Sequence, residues 1–281
     1  MASSSTDKVA VVTGSSSGIG YETALVLARN GFTTFATMRN PGKAGQIESV
    51  ASKEKLPIHV AQLDVTSDSS VRNAIQQIMA KARRIDLLVN NAGYGLTGAF
   101  EDLSIDEIRG VYDTNFFGVI RVTQTVLPIM RKQASGRIIN ISSGAGRLGY
   151  PGGSAYVSTK FALEGLSESM AYELEPFGIR IVLVEPGVIR TKFGSGMVIA
   201  KKAQDPSSPY SQMMQKMGSN LQQLEKNGSD PDLVARTVLT AATARNPELR
   251  YLAGKDVEAW VESRRKLSDS DFISSMKQMM K

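Results

Sequence analysis

From the N-terminus to about residue 190, short runs of β-branched and aliphatic residues alternate with longer stretches of helical periodicity, and few architectures accept that alternation. Parallel strands do, because each must return to the same end of the sheet through a helical crossover before the next begins. Right-handed crossovers then place helices on both faces, as in a doubly wound α/β fold. Strands are expected over 9–12, 32–37, 58–63, 85–90, 136–141 and 179–184, and a helix over 18–30 capped at Gly31. A long helix over 104–133 opens on Ser104-Ile105-Asp106-Glu107, a capping-box pattern, and Pro128 should bend it. Another, over 154–175, stops before Pro176. From 193 to 229 the texture changes to glycine, serine and glutamine with Met197, Met213, Met214 and Met217, as in an insertion. A helix over 231–244 and a last strand over 250–253 resume the fold, and the tail over 268–281 reads as a surface helix. One domain over 1–281 is expected, with a flexible N-terminus at 1–7 and a C-terminal extension at 254–281.

The chemistry open to such a chain is narrowed by what it lacks. Its 281 residues include no cysteine and one histidine, His59. A Cys/His zinc site, a cysteine nucleophile and a disulfide are excluded, and no metal is expected. His59 falls on the third strand without a partner in any motif, so a surface or edge role is expected. The formal charge of +6 is scattered, without a run of like charges, which argues against a nucleic-acid partner. No segment approaches the apolar length of a membrane span, and no secretion signal is visible, so a cytoplasmic protein is expected.

Two groups of motifs fall at the ends of the strands. Thr13-Gly14-Ser15-Ser16-Ser17-Gly18-Ile19-Gly20 joins the first strand to the first helix, where glycines permit a tight turn and close backbone approach to a pyrophosphate at the helix N-terminus. Its alternative is a tight turn with no ligand. Asp64 follows the third strand, either as a ligand contact or as a turn aspartate before Thr66 and Ser67, and Asn90-Asn91-Ala92-Gly93 ends the fourth. The second strand ends in Thr37-Met38-Arg39-Asn40, with no carboxylate to accept from a ribose 2′-hydroxyl. A guanidinium there suits a 2′-phosphate, with Ser15 as a further donor, so NADP(H) is preferred and NAD(H) remains possible. The alternative for Arg39 is a solvated cation.

In the second group, Tyr156-Val157-Ser158-Thr159-Lys160 places a phenol and an ammonium on one helix face. A nearby ammonium and an oxidised nicotinamide ring should depress the phenol pKa toward neutrality and let it exchange protons as histidine does elsewhere. Ser143 ends the strand Arg137-Ile138-Ile139-Asn140-Ile141-Ser142-Ser143, Asn115 stands in Asp113-Thr114-Asn115-Phe116-Phe117-Gly118, and Pro186-Gly187-Val188-Ile189-Arg190-Thr191 follows the sixth strand. Singly, each of these has a structural explanation.

Jointly, and at this spacing, the motifs resemble the short-chain dehydrogenase/reductase family, in its compact NADP-preferring branch, over residues 7–191. The resemblance implies a single-domain Rossmann fold with a seven-stranded sheet ordered 3-2-1-4-5-6-7. It implies a catalytic set of Asn115, Ser143, Tyr156 and Lys160. Cofactor contacts would come from Gly14, Ser17, Gly18, Ile19, Gly20, Asp64, Val65, Asn91, Ala92 and Gly93, with the Val188 backbone and Thr191, beside Pro186 and Gly187, holding the carboxamide and phosphates. It makes 188–229 the variable substrate loop. Phe-Ala-Thr-Met-Arg and Val-Glu-Pro-Gly also resemble steroid- and retinol-dehydrogenase-like members, which implies a hydrophobic carbonyl or alcohol substrate lined by Tyr94, Leu96, Leu148, Tyr150 and Met197. A homodimer or homotetramer is implied, paired through the helix from Ser104 and the Tyr156 helix, with Gly165, Leu166 and Met170 on that surface. The enzymatic alternative is an epimerase or dehydratase of the superfamily's extended branch, which expects glycine where Ser17 stands. An idle NADP-binding sensor or scaffold is the alternative from another class.

Overall fold

A computed structural model describes residues 8–279, so the expected flexible segment 1–7 lies outside the described residues. The strands are β1 (Lys8–Val12), β2 (Phe32–Met38), β3 (Ile58–Gln62), β4 (Leu87–Asn90), β5 (Leu96–Thr97), β6 (Gly136–Ile141), β7 (Ile179–Pro186), β8 (Val198–Ile199) and β9 (Arg250–Ala253). The helices are α1 (Gly18–Arg29), α2 (Gly45–Glu54), α3 (Asp68–Ala82), α4 (Ile105–Tyr112), α5 (Gly118–Gln133), α6 (Ser154–Leu174), α7 (Lys192–Ser195), α8 (Ser211–Lys226), α9 (Pro231–Thr243), α10 (Lys255–Lys266) and α11 (Asp269–Met279). Seven strands form one parallel sheet in the order β3-β2-β1-β4-β6-β7-β9. Counted within that sheet alone, this is the implied 3-2-1-4-5-6-7.

Both faces are covered, which explains why the central strands are nearly continuous apolar runs. Along β1 the side chains alternate: Ala10 and Val12 enter a core with Leu27, Val234 and Val238 of α1 and α9, while Val9 and Val11 enter a second with Ile75, Val122 and Val126 of α3 and α5. Polar groups cross the centre of the sheet as well. Asn90 Nδ2 donates to Asn140 Oδ1 (2.9 Å) and Thr123 Oγ1 (3.0 Å), and Asn140 Nδ2 donates to Ser167 Oγ (2.8 Å), tying β4 and β6 to helices α5 and α6. His59 lies on the edge strand β3 beside Phe35 and Lys81.

The expected helix over 104–133 is interrupted. Between α4 and α5 the chain makes a π-helical turn over Asp113–Phe117. Such turns recur at functional sites, and this one turns Asn115 into the interior. In the insertion, β8 pairs in parallel with β5, matching Leu96 to Val198 and Thr97 to Ile199. Helix α10 is absent from the sequence reading because only its Val257 and Val261 are buried, too few for an apolar stripe. Among the described residues no helix is long and apolar enough to cross a membrane.

The capping box at α4 is complete. Ser104 Oγ accepts from the Glu107 amide (3.2 Å), the Ser104 amide donates to Glu107 Oε2 (2.8 Å), and Glu107 Oε1 accepts from the Lys201 amide of the insertion (2.8 Å). Ser104→Ala is expected to cost about 1 kcal/mol, lowering Tm by about 2–4 °C in a chain of this size. Thermal denaturation followed by circular dichroism checks this; an unchanged Tm would mean that the box contributes nothing.

Candidate active site

The turn between β1 and α1 is held by the end of β4. Thr13 Oγ1 accepts from the amides of Asn91 (2.9 Å) and Ala92 (3.0 Å), while Asn91 Nδ2 donates to the carbonyls of Thr13 (2.9 Å) and Gly14 (3.2 Å). Gly14 has φ +71°, and a Cβ on it would stand 2.8 Å from Ala92 Cα; one on Gly20 would stand 2.5 Å from the Gly14 carbonyl oxygen. Glycine is therefore required by the packing of the turn as well as by any ligand. Gly18 faces the Thr191 side chain at 3.3 Å, which brings the segment after β7 over the turn. Ile19 is half-buried against the core, and Gly93 faces Asn115 Oδ1 at 3.0 Å.

Several groups here are left uncommitted. Ser17, the N-cap residue of α1, is exposed and makes no capping hydrogen bond, so its hydroxyl stands free at the positive end of the helix dipole. Asp64 Oδ1 accepts from the Thr66 amide (3.0 Å) and hydroxyl (2.7 Å), and Ser67 caps α3; this is the turn arrangement weighed from sequence. Asp64 Oδ2 and the Val65 amide have no hydrogen-bond partner among the described residues. Arg39 is exposed and joins no ion pair among them. A dinucleotide fits this set by its chemistry: close backbone approach, a free hydroxyl at a helix N-terminus, a free carboxylate oxygen and a free cation. Ser15 does not contribute. It is fully buried, its hydroxyl donates to the Val12 carbonyl (2.9 Å) and its amide to the Thr37 carbonyl (2.9 Å), so the expected Ser15 contact with a phosphate is corrected to a link between β1 and β2.

Helix α6 brings Tyr156 and Lys160 to the end of β6. Ser143 Oγ accepts from the Ala145 amide (3.1 Å), fixing the hydroxyl at the head of a short 3₁₀ turn, while Ser142 points to the other face and is buried. Lys160 Nζ donates to the Ile141 carbonyl (2.9 Å) and lies 5.7 Å from the centre of the Tyr156 ring. Asn115, 2% exposed, accepts from the Tyr94 amide (3.0 Å) and donates to the Tyr94 carbonyl (2.9 Å) and, at 3.5 Å, to Thr159 Oγ1. All four expected catalytic residues therefore converge on α6.

The expected lining residues divide. A Cβ on Gly95 would stand 2.8 Å from Met197 and 3.3 Å from Phe193, and the Phe193 ring lies 5.9 Å from that of Tyr156. Met214 and Met217 approach Gly152, and Tyr150 packs on Gly153, just before α6. Leu148 is buried, and Leu96 is 2% exposed in a small core with Val111, Ala155 and Ala200, so Leu96 is committed to packing. Tyr94 is half-buried against the same core. Sequence reasoning missed Phe193, which follows Thr191 in a stretch without periodicity. The expected carboxamide contact from the Val188 backbone is also corrected: the Val188 amide donates to Asp256 Oδ2 (2.7 Å) and its carbonyl accepts from the Ser229 amide (2.9 Å).

The model of the family described as "short chain dehydrogenase" matches residues 8–201, which span the glycine-rich turn, Asn115, Ser143, Tyr156 and Lys160. This chain belongs to the short-chain dehydrogenase family. It is similar to the uncharacterized oxidoreductase YusZ of Bacillus subtilis (strain 168), with 42% identity over 257 residues that cover 89% of this chain and 90% of that one. It is also similar to 3-ketodihydrosphingosine reductase of Bacteroides thetaiotaomicron, 35% identical over 251 residues, covering 89% of each. A short-chain dehydrogenase from Streptomyces avermitilis, known from its crystal structure, superposes with a TM-score of 0.81 at 32% identity, covering 97% of this chain and 95% of that one. Family membership places the protein among the nicotinamide-dependent oxidoreductases.

Burial governs Tyr156 and Lys160 in this short-chain dehydrogenase. It pushes the Tyr156 phenol up to about 12, with the Ser143 side chain acting in the opposite direction. The sequence-based expectation of a depressed phenol is thus reversed in the chain itself, because desolvation outweighs the opposing Ser143 hydrogen bond. Lys160 is pushed down to about 8 by burial, opposed by Glu164. The folded value lies below the ordinary 10.5, so between pH 8 and 10.5 the unfolded chain holds a proton that the folded chain has lost, and stability rises with pH. Relative to Lys160→Met, the wild-type protein is expected to gain about 3 kcal/mol of unfolding free energy across this window. Urea denaturation of both proteins at pH 7, 9 and 10.5 checks it, and a pH-independent difference would show an ordinary lysine.

Proposed function

We propose that this short-chain dehydrogenase is an NADP(H)-dependent enzyme that interconverts a hydrophobic ketone or aldehyde and its alcohol. The observation that carries the reading is the convergence of Ser143, Tyr156, Lys160 and Asn115 beside an apolar wall of Phe193 and Met197. Bound NADPH supplies the hydride. The Ser143 and Tyr156 hydroxyls hydrogen-bond the substrate carbonyl oxygen, and Tyr156 releases its proton to that oxygen as the alcohol forms. A phenol that burial keeps protonated at neutral pH suits this donation. Lys160, fixed by the Ile141 carbonyl, and Asn115, fixed by the Tyr94 backbone, serve the path by which that proton is replaced. The likeness to a reductase named for 3-ketodihydrosphingosine supports an apolar substrate class.

The NADP preference rests on Arg39, a free cation at the end of β2 where no carboxylate competes. A homodimer or homotetramer in the cytoplasm completes the reading, paired through α4–α5 and α6, where Phe117, Phe161 and Tyr172 are exposed. Of the residues expected on that surface, Gly165 is exposed, whereas Leu166 and Met170 are half-buried.

Nicotinamide absorbance over a panel of long-chain ketones, aldehydes and alcohols tests the function: tight NADPH binding with no substrate-dependent signal would favour a sensor. Tyr156→Phe is expected to lose turnover by about 100-fold or more while cofactor affinity holds. Wild-type reduction should stay flat through neutral pH, and alcohol oxidation, which needs the phenolate, should climb toward alkaline pH. Substantial turnover in the variant would remove Tyr156 from the proton step. Arg39→Asp is expected to weaken NADPH binding by about 10- to 100-fold and reverse the preference toward NADH. Equal kinetics with both cofactors in the unmutated protein would contradict the role of Arg39.

A further inference from the structure

Four backbone groups along the segment after β7 are held by partners that lie far away in sequence. The Gly187 amide donates to the Ala253 carbonyl (3.2 Å), the Val188 carbonyl accepts from the Ser229 amide (2.9 Å), and the Arg190 amide donates to the Ser229 carbonyl (2.8 Å). The Val188 amide is the exception, because its partner is a side chain: Asp256 Oδ2 in the first turn of α10, at 2.7 Å. The other carboxylate oxygen, Oδ1, is buried without a hydrogen-bond partner.

The fit around this carboxylate is close. A Cβ on Gly187 or on Gly254 would collide with it, so both positions must be glycine for Asp256 to reach the segment. Gly254 also has φ +136°, a conformation that lets β9 turn directly into α10. The same helix presses on the catalytic-serine turn. A Cβ on Gly144, next to Ser143, would stand 2.8 Å from Val257 and 3.7 Å from Trp260. One short helix thus touches both the turn that carries Ser143 and the segment from Gly187 to Thr191.

We infer that Asp256 is a positioning residue for the nicotinamide end of the cofactor site: by accepting the Val188 N–H it holds the Gly187–Thr191 segment in the conformation that receives that end of NADP(H). This rests on the cofactor reading proposed above. An amide hydrogen bond to a carboxylate is among the stronger kinds, and without it the Val188 amide would have no partner. Outside β9 and α10, the backbone of the segment is held by Ser229, which takes the Val188 carbonyl and the Arg190 amide. The carboxylate therefore decides whether the amide side is fixed.

The test is calorimetric binding of two probes to the full chain. NADPH reports both ends of the site, and 2′,5′-ADP reports the adenosine end alone. Asp256→Ala is expected to raise the NADPH Kd by about ten-fold and leave the 2′,5′-ADP Kd unchanged. Asp256→Asn, which keeps an acceptor for the Val188 amide, should return NADPH affinity close to wild type. Phe272→Ala, in the neighbouring α11, serves as the control: it lowers Tm and leaves both affinities unchanged. Equal weakening of both probes in Asp256→Ala would mean a general structural defect and overturn the inference. Unchanged or tighter NADPH binding would overturn it too, the latter by showing that Asp256 competes with the cofactor for the amide. If the wild-type protein bound neither probe, the cofactor reading would fall, and this inference with it.

Discussion

The hold between Thr13 and the Asn91–Ala92 amides is the contact on which the cofactor edge depends. One hydroxyl accepts two backbone donors from the adjacent strand end, and Asn91 returns two hydrogen bonds to the turn. Four bonds thus close the gap between β1 and β4, where the parallel sheet would otherwise splay into two loops with unpaired backbone. The glycines follow from this contact, since Gly14 and Gly20 leave no room for a Cβ against Ala92 and the turn itself. A glycine-rich turn of this kind is first a packing solution, and the open helix N-terminus at Ser17 is what it leaves for a ligand.

At the reacting edge the same burial acts on two groups in opposite directions, and in both cases it favours the neutral form. The phenol is raised by about two units, which corresponds to roughly 3 kcal/mol. Two unit charges at the 5.7 Å separating the Lys160 ammonium from the Tyr156 ring would attract by roughly 3 kcal/mol at an effective dielectric of about 20. Such an attraction would oppose the rise and bring the phenol closer to the range of the Lys160 ammonium, which burial lowers to about 8.

Much of this was legible from the residues, and the failures share a cause. Strands Gly136–Ile141 and Arg250–Ala253, the capping box at Ser104 and the placement of Tyr156 and Lys160 on one helix face depend on periodicity and local hydrogen bonding, which sequence spacing records. The π turn around Asn115, the burial of Ser15, the approach of Phe193 to Tyr156 and the Asp256–Val188 bond depend on contacts across the fold. Asp256 is 68 positions from its partner, inside a helix with two buried apolar residues, so no local pattern announces it. Ser15 was misplaced because a serine in a glycine-rich turn reads as a donor to solvent or ligand until the strand beside it is known.

Behind the proposed catalytic residues a buried charge network imposes a further constraint. Glu164, one turn after Lys160, accepts from Arg250 of β9 (2.9 Å), and the fully buried Glu185 of β7 accepts from Arg147 (3.1 Å), which lies just beyond the Ser143 turn. Burial, and then Glu164, raise the pKa of Glu185, while Arg147 and Arg250 lower it. Buried ion pairs of this kind add little net stability, since desolvation consumes most of the Coulomb gain, but an unpaired member is costly. Each carboxylate therefore holds its arginine in one place, and through them α6, the serine turn and the last two strands of the sheet are held in register. With α10 pressing on Gly144, Ser143 and Lys160 have little freedom to separate, so the geometry for the proposed proton transfer is in place before a substrate arrives.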